Sequence, residues 1–313
     1  MRILHLSADY PDPLEPAKTR AVANLLPLVP EHEHLVYSLN RVDWRHGIAA
    51  LDFGDAAGAA HRAVAYAAPP YGVMLGTFLR WLADWILTDL KARGLRPDLV
   101  HAHKLSVEGL AGALVAERLG VPLVLSVQGD SDTKIVSMKR SLRARYRALW
   151  HGAAVVFPFA PWAKDKLDGL LGLREGPTML LPCPGSGPEF RAAPVITGPE
   201  VVTAFHLAVW RRKNAEGLFR AIGLAAAEIP ELKLRVIGGG SPEAFARLSR
   251  LADRLAPGRV IFEGAVPHEE VGPRFNAAAA FALVSHRESF GMVFAEALLA
   301  GAPCLIPAGA GID

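Results

Sequence analysis

The sequence is poor in cysteine, with only Cys183 and Cys304 among 313 residues. Two thiols build neither a disulfide framework nor a four-cysteine zinc site, and they suit a reducing compartment. Net charge is equally scarce: 34 Lys and Arg against 31 Asp and Glu leave a formal +3. That is no dense positive field for a phosphate backbone, so nucleic acid is not expected as a partner. The longest uncharged apolar stretch, 63–79, is interrupted by Pro69 and Pro70. A spanning helix needs about 20 apolar residues, and none is expected. The opening stretch Met1–Leu6 meets Asp9 and Pro11 too soon for a signal peptide, which points to a cytoplasmic protein. No Gly-x-Ser-x-Gly and no phosphate-loop Gly-Lys-Ser/Thr occurs, which removes a typical hydrolase or nucleotide triphosphatase. Gly238, Gly239 and Gly240 are followed by Glu243 where a dinucleotide fingerprint needs its last glycine, and this disfavours a dehydrogenase.

What the chain does have is apolar residues, 51% of the total, and a repeated alternation of short apolar runs with amphipathic stretches. That alternation predicts a mostly parallel sheet covered by helices on both faces. Strands are expected at 2–6, 35–39, 99–102, 122–127 and 153–157. A helix through Val107, Leu110, Leu114 and Val115 should end at Gly120, a residue that adopts the left-handed cap conformation. A Pro- and Gly-rich run from Pro182 to Pro199 reads as a linker. The alternation then restarts, with strands at 201–207, 232–237, 260–262, 280–284 and 303–307. Helices are expected at 215–229, 242–255, near 269–276 and at 290–300. Ser241 followed by Pro242 marks a helix start. Two α/β domains, 1–190 and 191–313, therefore face a cleft, the second short by a helix and a strand.

The segment from His286 to Gly301 is the most informative. Glu288 sits in the turn after an apolar strand, Ser289 and Phe290 open a helix, and Gly291 lets a ligand approach the backbone. The N–H groups and positive dipole end there favour an anion. Glu296 is eight positions on, about 12 Å along a helix, roughly a diphosphate away. Arg211, Arg212 and Lys213 form a cationic turn before the next helix, suited to clamping a diphosphate.

Glu288, Phe290, Gly291, Glu296, Ala297, Gly301 and Pro303 together resemble the hallmark of the family-4 retaining glycosyltransferases of GT-B fold. The resemblance extends over most of the chain: Pro97–His103 is similar to the third N-domain strand with its histidine end, and Val236–Gly240 to a glycine-terminated strand. Phe262–Pro267, including Val266, looks like the segment whose backbone faces the nucleotide base. It implies two doubly wound, Rossmann-like domains, an acceptor-side N-terminal one and a nucleotide-sugar-binding C-terminal one. It implies glycosyl transfer with retention of configuration from a nucleotide-diphosphate-sugar to a glycan, lipid-linked or small-molecule acceptor, with no cofactor or metal required. In that pattern Glu288 contacts the donor sugar and supports transition-state charge, and Glu296 binds the ribose. Lys213 and the Ser289–Gly291 backbone stabilise the departing diphosphate, with Arg212 beside them. His103, Gln128 and Gly129 fall on the acceptor side. The sequence departs from the family at Ala208, where an arginine is usual, at Gln128, where a histidine is usual, and in the loop Tyr10–Arg20, which has no glycine. In that loop Lys18, Thr19 and Arg20 are candidates for donor phosphate or acceptor. The family continues past the last strand; its absence here implies a truncated chain, a partner covering the edge, or a fold that closes differently.

Other features have plainer readings. His101 and His103 lie on one face of a strand as metal ligands do, but no third ligand is evident, so a strand-end histidine near the acceptor is preferred. Asp130 and Asp132 form a DxD string, read as a polar loop in preference to a metal–diphosphate site. The apolar stripe of Tyr71–Leu90 and the basic amphipathic stretch Lys139–Trp150 are candidates for peripheral contact with an anionic membrane, or else for a core helix and a solvated face. Two rivals to a transferase remain open: a nucleotide-sugar epimerase or hydrolase, and a non-catalytic nucleotide-sugar-binding or scaffold protein.

Overall fold

A computed structural model describes residues 1–16, 18–54, 60–69, 74–184, 193–308 and 311. The chain divides into two compact units, Met1–Pro184 and Gly185–Asp313. The expected boundary between 190 and 191, and residues 185–192 of the expected linker, lie outside the described residues.

The first unit runs β1 (Arg2–Ser7), α1 (Ala21–Leu25), β2 (Glu33–Val42), β3 (Ile48–Asp52), β4 (Arg62–Ala67), α2 (Leu75–Ala92) and β5 (Leu99–Ala102). It continues with α3 (Val107–Leu119), β6 (Leu123–Val127), α4 (Asp130–Met138), α5 (Arg143–Gly152), β7 (Val155–Pro158) and α6 (Pro161–Leu171). Among the described residues these strands form one sheet of order β3-β4-β2-β1-β5-β6-β7, parallel except for the antiparallel β3–β4 pair. Central strands carry Leu4, Leu6, Leu35, Leu39, Val100 and Leu125 at 0–2% exposure, because helices cover both faces. The expected strands are found, but β3 and β4 were not expected. Both are weak signals: β3 is half-exposed and β4 is rich in alanine. α3 ends as expected, with Gly120 left-handed at φ 67°.

The stripe on α2 packs into this core through Phe78, Leu79, Leu82, Ala83 and Ile86; Tyr71–Val73 of that stretch lie outside the described residues. The stretch Lys139–Trp150 is not one helix. A 3-10 turn at Arg140–Leu142 precedes α5, whose Tyr146, Leu149 and Trp150 are buried in the core. Beyond α6, Arg174 is 5% exposed and donates to the carbonyls of Trp150, Ala153 and Pro177. A cation there satisfies the carbonyls at the end of α5.

The second unit runs β8 (Glu200–Ala204), α7 (Ala215–Ala225), β9 (Lys233–Ile237), α8 (Pro242–Leu255), β10 (Val260–Gly264), α9 (His268–Ala277), β11 (Ala280–Ala282), α10 (Met292–Leu299) and β12 (Cys304–Leu305). Its parallel sheet has the order β10-β9-β8-β11-β12. α8 has the bounds read from sequence, and Ser241 caps it by accepting from the Ala244 N–H at 3.3 Å. Phe219, Phe275, Phe281 and Phe294 fill the core between the helices and the sheet. Among the described residues no helix is long and apolar enough to cross a membrane.

Candidate active site

Each sheet reverses direction once. In the second unit the chain builds outward from β8 to β9 and β10, then returns to place β11 on the other side of β8. The carboxyl ends of β8 and β11 thus flank a topological switch point, the place where open α/β sheets bind ligands. The segments leaving those two ends are 205–214 and 283–291, which carry the residues singled out from sequence.

The two segments are tied together. The His286 N–H donates to the Arg212 carbonyl at 2.9 Å, and Lys213 Nζ is ion-paired with Glu288 Oε2. Both side chains are only 13% exposed, and the Ser285 hydroxyl adds a bond to Glu288 Oε2 at 3.3 Å. On the other side, the Leu207 N–H donates to the Gly239 carbonyl at 2.8 Å, so the turn after β8 is also pinned to the glycines after β9. Asn214, left-handed at φ 52°, caps α7 by accepting from the Gly217 N–H. Arg211 and Arg247 lie over the Trp210 ring, 4.9 and 5.4 Å from its centroid. Trp210, Arg211, Asn214 and His286 help line an adjoining cavity of about 500 Å³.

The helix after Glu288 starts later than expected. Ser289 and Phe290 form a bend, and α10 begins at Met292. Gly291 is the reason: at φ 82° it turns the chain left-handed, and a Cβ there would stand 2.5 Å from the Phe294 ring and 3.0 Å from Glu288 Cγ. The eight positions from Glu288 to Glu296 therefore do not run along one helix, and the 12 Å helical spacing does not apply. Glu296 stands on the second turn of α10, partly buried. Gly311 lies close to Glu288 and Phe290. Arg212 contributes its carbonyl to the tie, with an exposed side chain. Val266 follows β10, two strands from β8, and packs on the core.

The acceptor-side residues belong to the first unit, whose switch point lies between β1 and β5. His103 follows β5 and is fully buried, its Nε2 2.9 Å from His5 Nδ1. Gln128 and Gly129 follow β6. The DxD string beside them is not a loop. It forms the first turn of α4, and Asp132 is buried, accepting the N–H groups of Leu105 and Gln128 at 2.9 Å each. Both its oxygens are thus taken by the backbone, away from any metal–diphosphate role. Glu108 accepts the Ala8 N–H at 3.1 Å in the same way. Burial pushes the Glu108 carboxyl up to about 7 and Asp132 up to about 6, with Lys104 opposing both shifts. Lys104 itself is paired with Asp9 at 2.5 Å. These carboxylates fix the loops after β1, β5 and β6, a role the sequence did not signal because their partners are backbone amides.

Lys18, a candidate for phosphate, is buried against Asp12 at 2.7 Å and Ser38 at 2.9 Å. Burial alone would raise the Asp12 carboxyl, but hydrogen bonds from Lys18, Ser38 and Asn40 hold it below the usual range. This lysine is a structural counter-ion.

Residues 15–184 match the family model described as glycosyl transferase 4-like domain, and residues 188–312 that of glycosyl transferases group 1. The D-inositol 3-phosphate glycosyltransferase of Streptomyces scabiei is 30% identical over 239 residues, 68% of this chain and 53% of that protein. D-inositol 3-phosphate glycosyltransferase 1 of Catenulispora acidiphila is 30% identical over 270 residues, 79% of this chain and 64% of its own. The chain thus spans between half and two-thirds of the length of these curated relatives. Among solved structures, sucrose-phosphate synthase from Thermosynechococcus elongatus aligns over 99% of this chain and 82% of its own, with TM-score 0.71 at 20% identity. Anabaena HepE in complex with UDP and glucose aligns over 100% and 82%, with TM-score 0.64 at 17% identity. The solved structures share the fold, a pair of parallel-sheet α/β units. With both of its units matched in order, the chain belongs to the group 1 glycosyl transferases of GT-B fold.

Proposed function

We propose that the protein transfers a hexosyl group from a nucleoside-diphosphate sugar to a hydroxyl of a sugar or sugar-phosphate acceptor, with retention of configuration. The observation that carries this reading is the Lys213–Glu288 pair at the switch point of the second unit. Breaking a glycosyl–phosphate bond develops positive charge on the sugar and negative charge on the diphosphate. A carboxylate beside an ammonium matches that separation: Glu288 faces the sugar, and Lys213 faces the leaving group. Lys213 has three N–H donors and can hold Glu288 and a phosphate oxygen together. Such preorganised charge is the main source of rate in displacements of this kind. The amino end of α10 adds partial positive charge beside the diphosphate, and in this reading no metal is needed there. Glu296 receives the ribose hydroxyls, and Arg212, Ser289, Phe290 and Val266 complete the donor side.

A uridine donor is favoured because HepE, a protein of the same fold, was solved with UDP and glucose. The inositol phosphate glycosyltransferases of Streptomyces and Catenulispora favour a small polyol phosphate as acceptor. In this reading Gln128 and Gly129, after β6, fall on the acceptor side, while His103 is fully buried and does not reach the acceptor directly.

A thermal-shift series of UDP-, GDP- and ADP-sugars with wild type and Glu296→Ala tests the donor assignment. A ligand at 100 times its Kd adds about 2.7 kcal/mol of stability. One nucleotide class should shift the wild type and lose its effect in the variant. A cooperatively folded sample that responds to none of them rejects the reading, and an inverted anomeric centre in the product, seen by NMR, rejects retention.

A further inference from the structure

The sequence offers His101 and His103 two apart on β5, and the fold supplies a third imidazole from a strand nearly a hundred residues away. His5 on β1 stands in register with His101. His5, His101 and His103 are 2%, 7% and 0% exposed, and one ring nitrogen from each lies within 4.8 Å of the other two. We propose that these three imidazoles bind one transition-metal ion of the zinc class inside the first unit.

Two features beyond proximity support the assignment. The first is the outer shell. Metal-bound imidazoles use their second nitrogen to hold a carbonyl, hydroxyl or similar partner, which fixes the ring and its tautomer. His5 Nε2 is 2.9 Å from His34 Nδ1, and His34 Nε2 is 3.1 Å from the Val29 carbonyl. His101 Nε2 is 2.8 Å from the Ser126 hydroxyl. Two of the three rings therefore have an anchored outer nitrogen.

The second feature is that the rings are neutral. A carbonyl only accepts, so in the neutral chain His34 donates from Nε2 to Val29 and accepts at Nδ1. His5 then donates from Nε2 and accepts at Nδ1 from His103 Nε2. This leaves His103 Nδ1 as a bare lone pair, and that atom is buried without a partner. An ion taken by His5 Nδ1 and His103 Nε2 moves the His103 proton to Nδ1, so that nitrogen gains no partner and the outer shell counts two rings of the three. Burial holds all three imidazoles well below their ordinary protonation range, in the neutral form that ligates. Three protein nitrogens and one water-derived ligand make a familiar set for zinc.

The test uses the full chain, stripped with a chelator and then titrated with Zn²⁺ or Co²⁺. One equivalent should bind, with a tetrahedral visible absorption for cobalt and displaced imidazole ¹⁵N resonances for three histidines. His5→Ala and His103→Ala should each weaken binding by at least tenfold. Ser126→Ala, which leaves the three rings in place, should weaken it by about tenfold or more, and His46→Ala, at the surface, should not change it. Wild-type protein whose histidine resonances are unmoved by one equivalent of zinc overturns the proposal, as does stoichiometric binding that survives both His5→Ala and His103→Ala. The wild-type spectrum decides the matter even if a histidine variant fails to fold.

Discussion

Lys213 and Glu288 are 75 positions apart in the chain, yet they share an ion pair where the segments after β8 and β11 meet. Neither segment holds it alone. The backbone bond from His286 to Arg212 brings the strands' exits together, and the ion pair closes the turn.

If this pair acts on opposite charges of the transition state, its halves differ in effect. Lys213→Ala should lower kcat by about 10²–10³-fold, the loss typical of one oriented donor to a developing anion. Glu288→Gln should lower kcat with little change in nucleotide affinity. Steady-state kinetics with a nucleoside-diphosphate sugar check both, and a Lys213→Ala variant with unchanged kcat removes the lysine from the chemistry.

Gly291→Ala should damage the site through the backbone. A side chain at φ 82° costs roughly 1–3 kcal/mol, and the new methyl must also displace the Phe294 ring or Glu288. The expected result is a lower Tm together with reduced turnover. Urea unfolding of the variant measures the first and initial rates the second.

Glu108 makes stability depend on pH. Its folded-state value, about 7, lies above the ordinary 4.5 because burial disfavours the carboxylate. The stabilisation is present in full below pH 4.5 and is lost as pH rises through 7. The total is about 3 kcal/mol. Glu108→Gln keeps an acceptor for the Ala8 N–H without the charge. Relative to wild type it should gain stability between pH 5 and 8, as read from Tm at each pH; parallel curves contradict the assignment.

Arg174→Met should destabilise the first unit without touching the candidate site. Three carbonyl acceptors lose a buried cation, and the Asp168 carboxylate nearby loses favourable charge. A loss of about 3 kcal/mol corresponds to a Tm drop of roughly 5–10 °C. Differential scanning fluorimetry in the absence of ligand measures it.

Much of the architecture was legible because parallel strands buried on both faces read as near-continuous apolar runs, broken by a single polar residue. Leu35–Leu39, Leu99–Ala102 and Leu123–Val127 are such runs, and α8 carried its own start in Ser241 and Pro242. The misses have local causes. β3 alternates too weakly and β4 is too rich in alanine to stand out. The start of α10 was set by the left-handed Gly291, which sequence periodicity counts as one more helical position. Asp132 read as part of a polar loop because nothing local shows that its partners are the amides of Leu105 and Gln128.

The candidate site divides along the same line. Residue types and spacing within one segment singled out Glu288, Gly291 and Glu296, since the chemistry of a turn is encoded by its own neighbours. They also marked Lys213 as a cation at a turn. Pairing Lys213 with Glu288, retiring Lys18 to Asp12, and adding His5 to His101 and His103 needed the sheets. Strand order decides which exits become neighbours, and the contacts it creates join residues that have no local relation in the chain. The sequence determined the elements and the chemical groups they carry; the crossover in each sheet decided which of those groups meet.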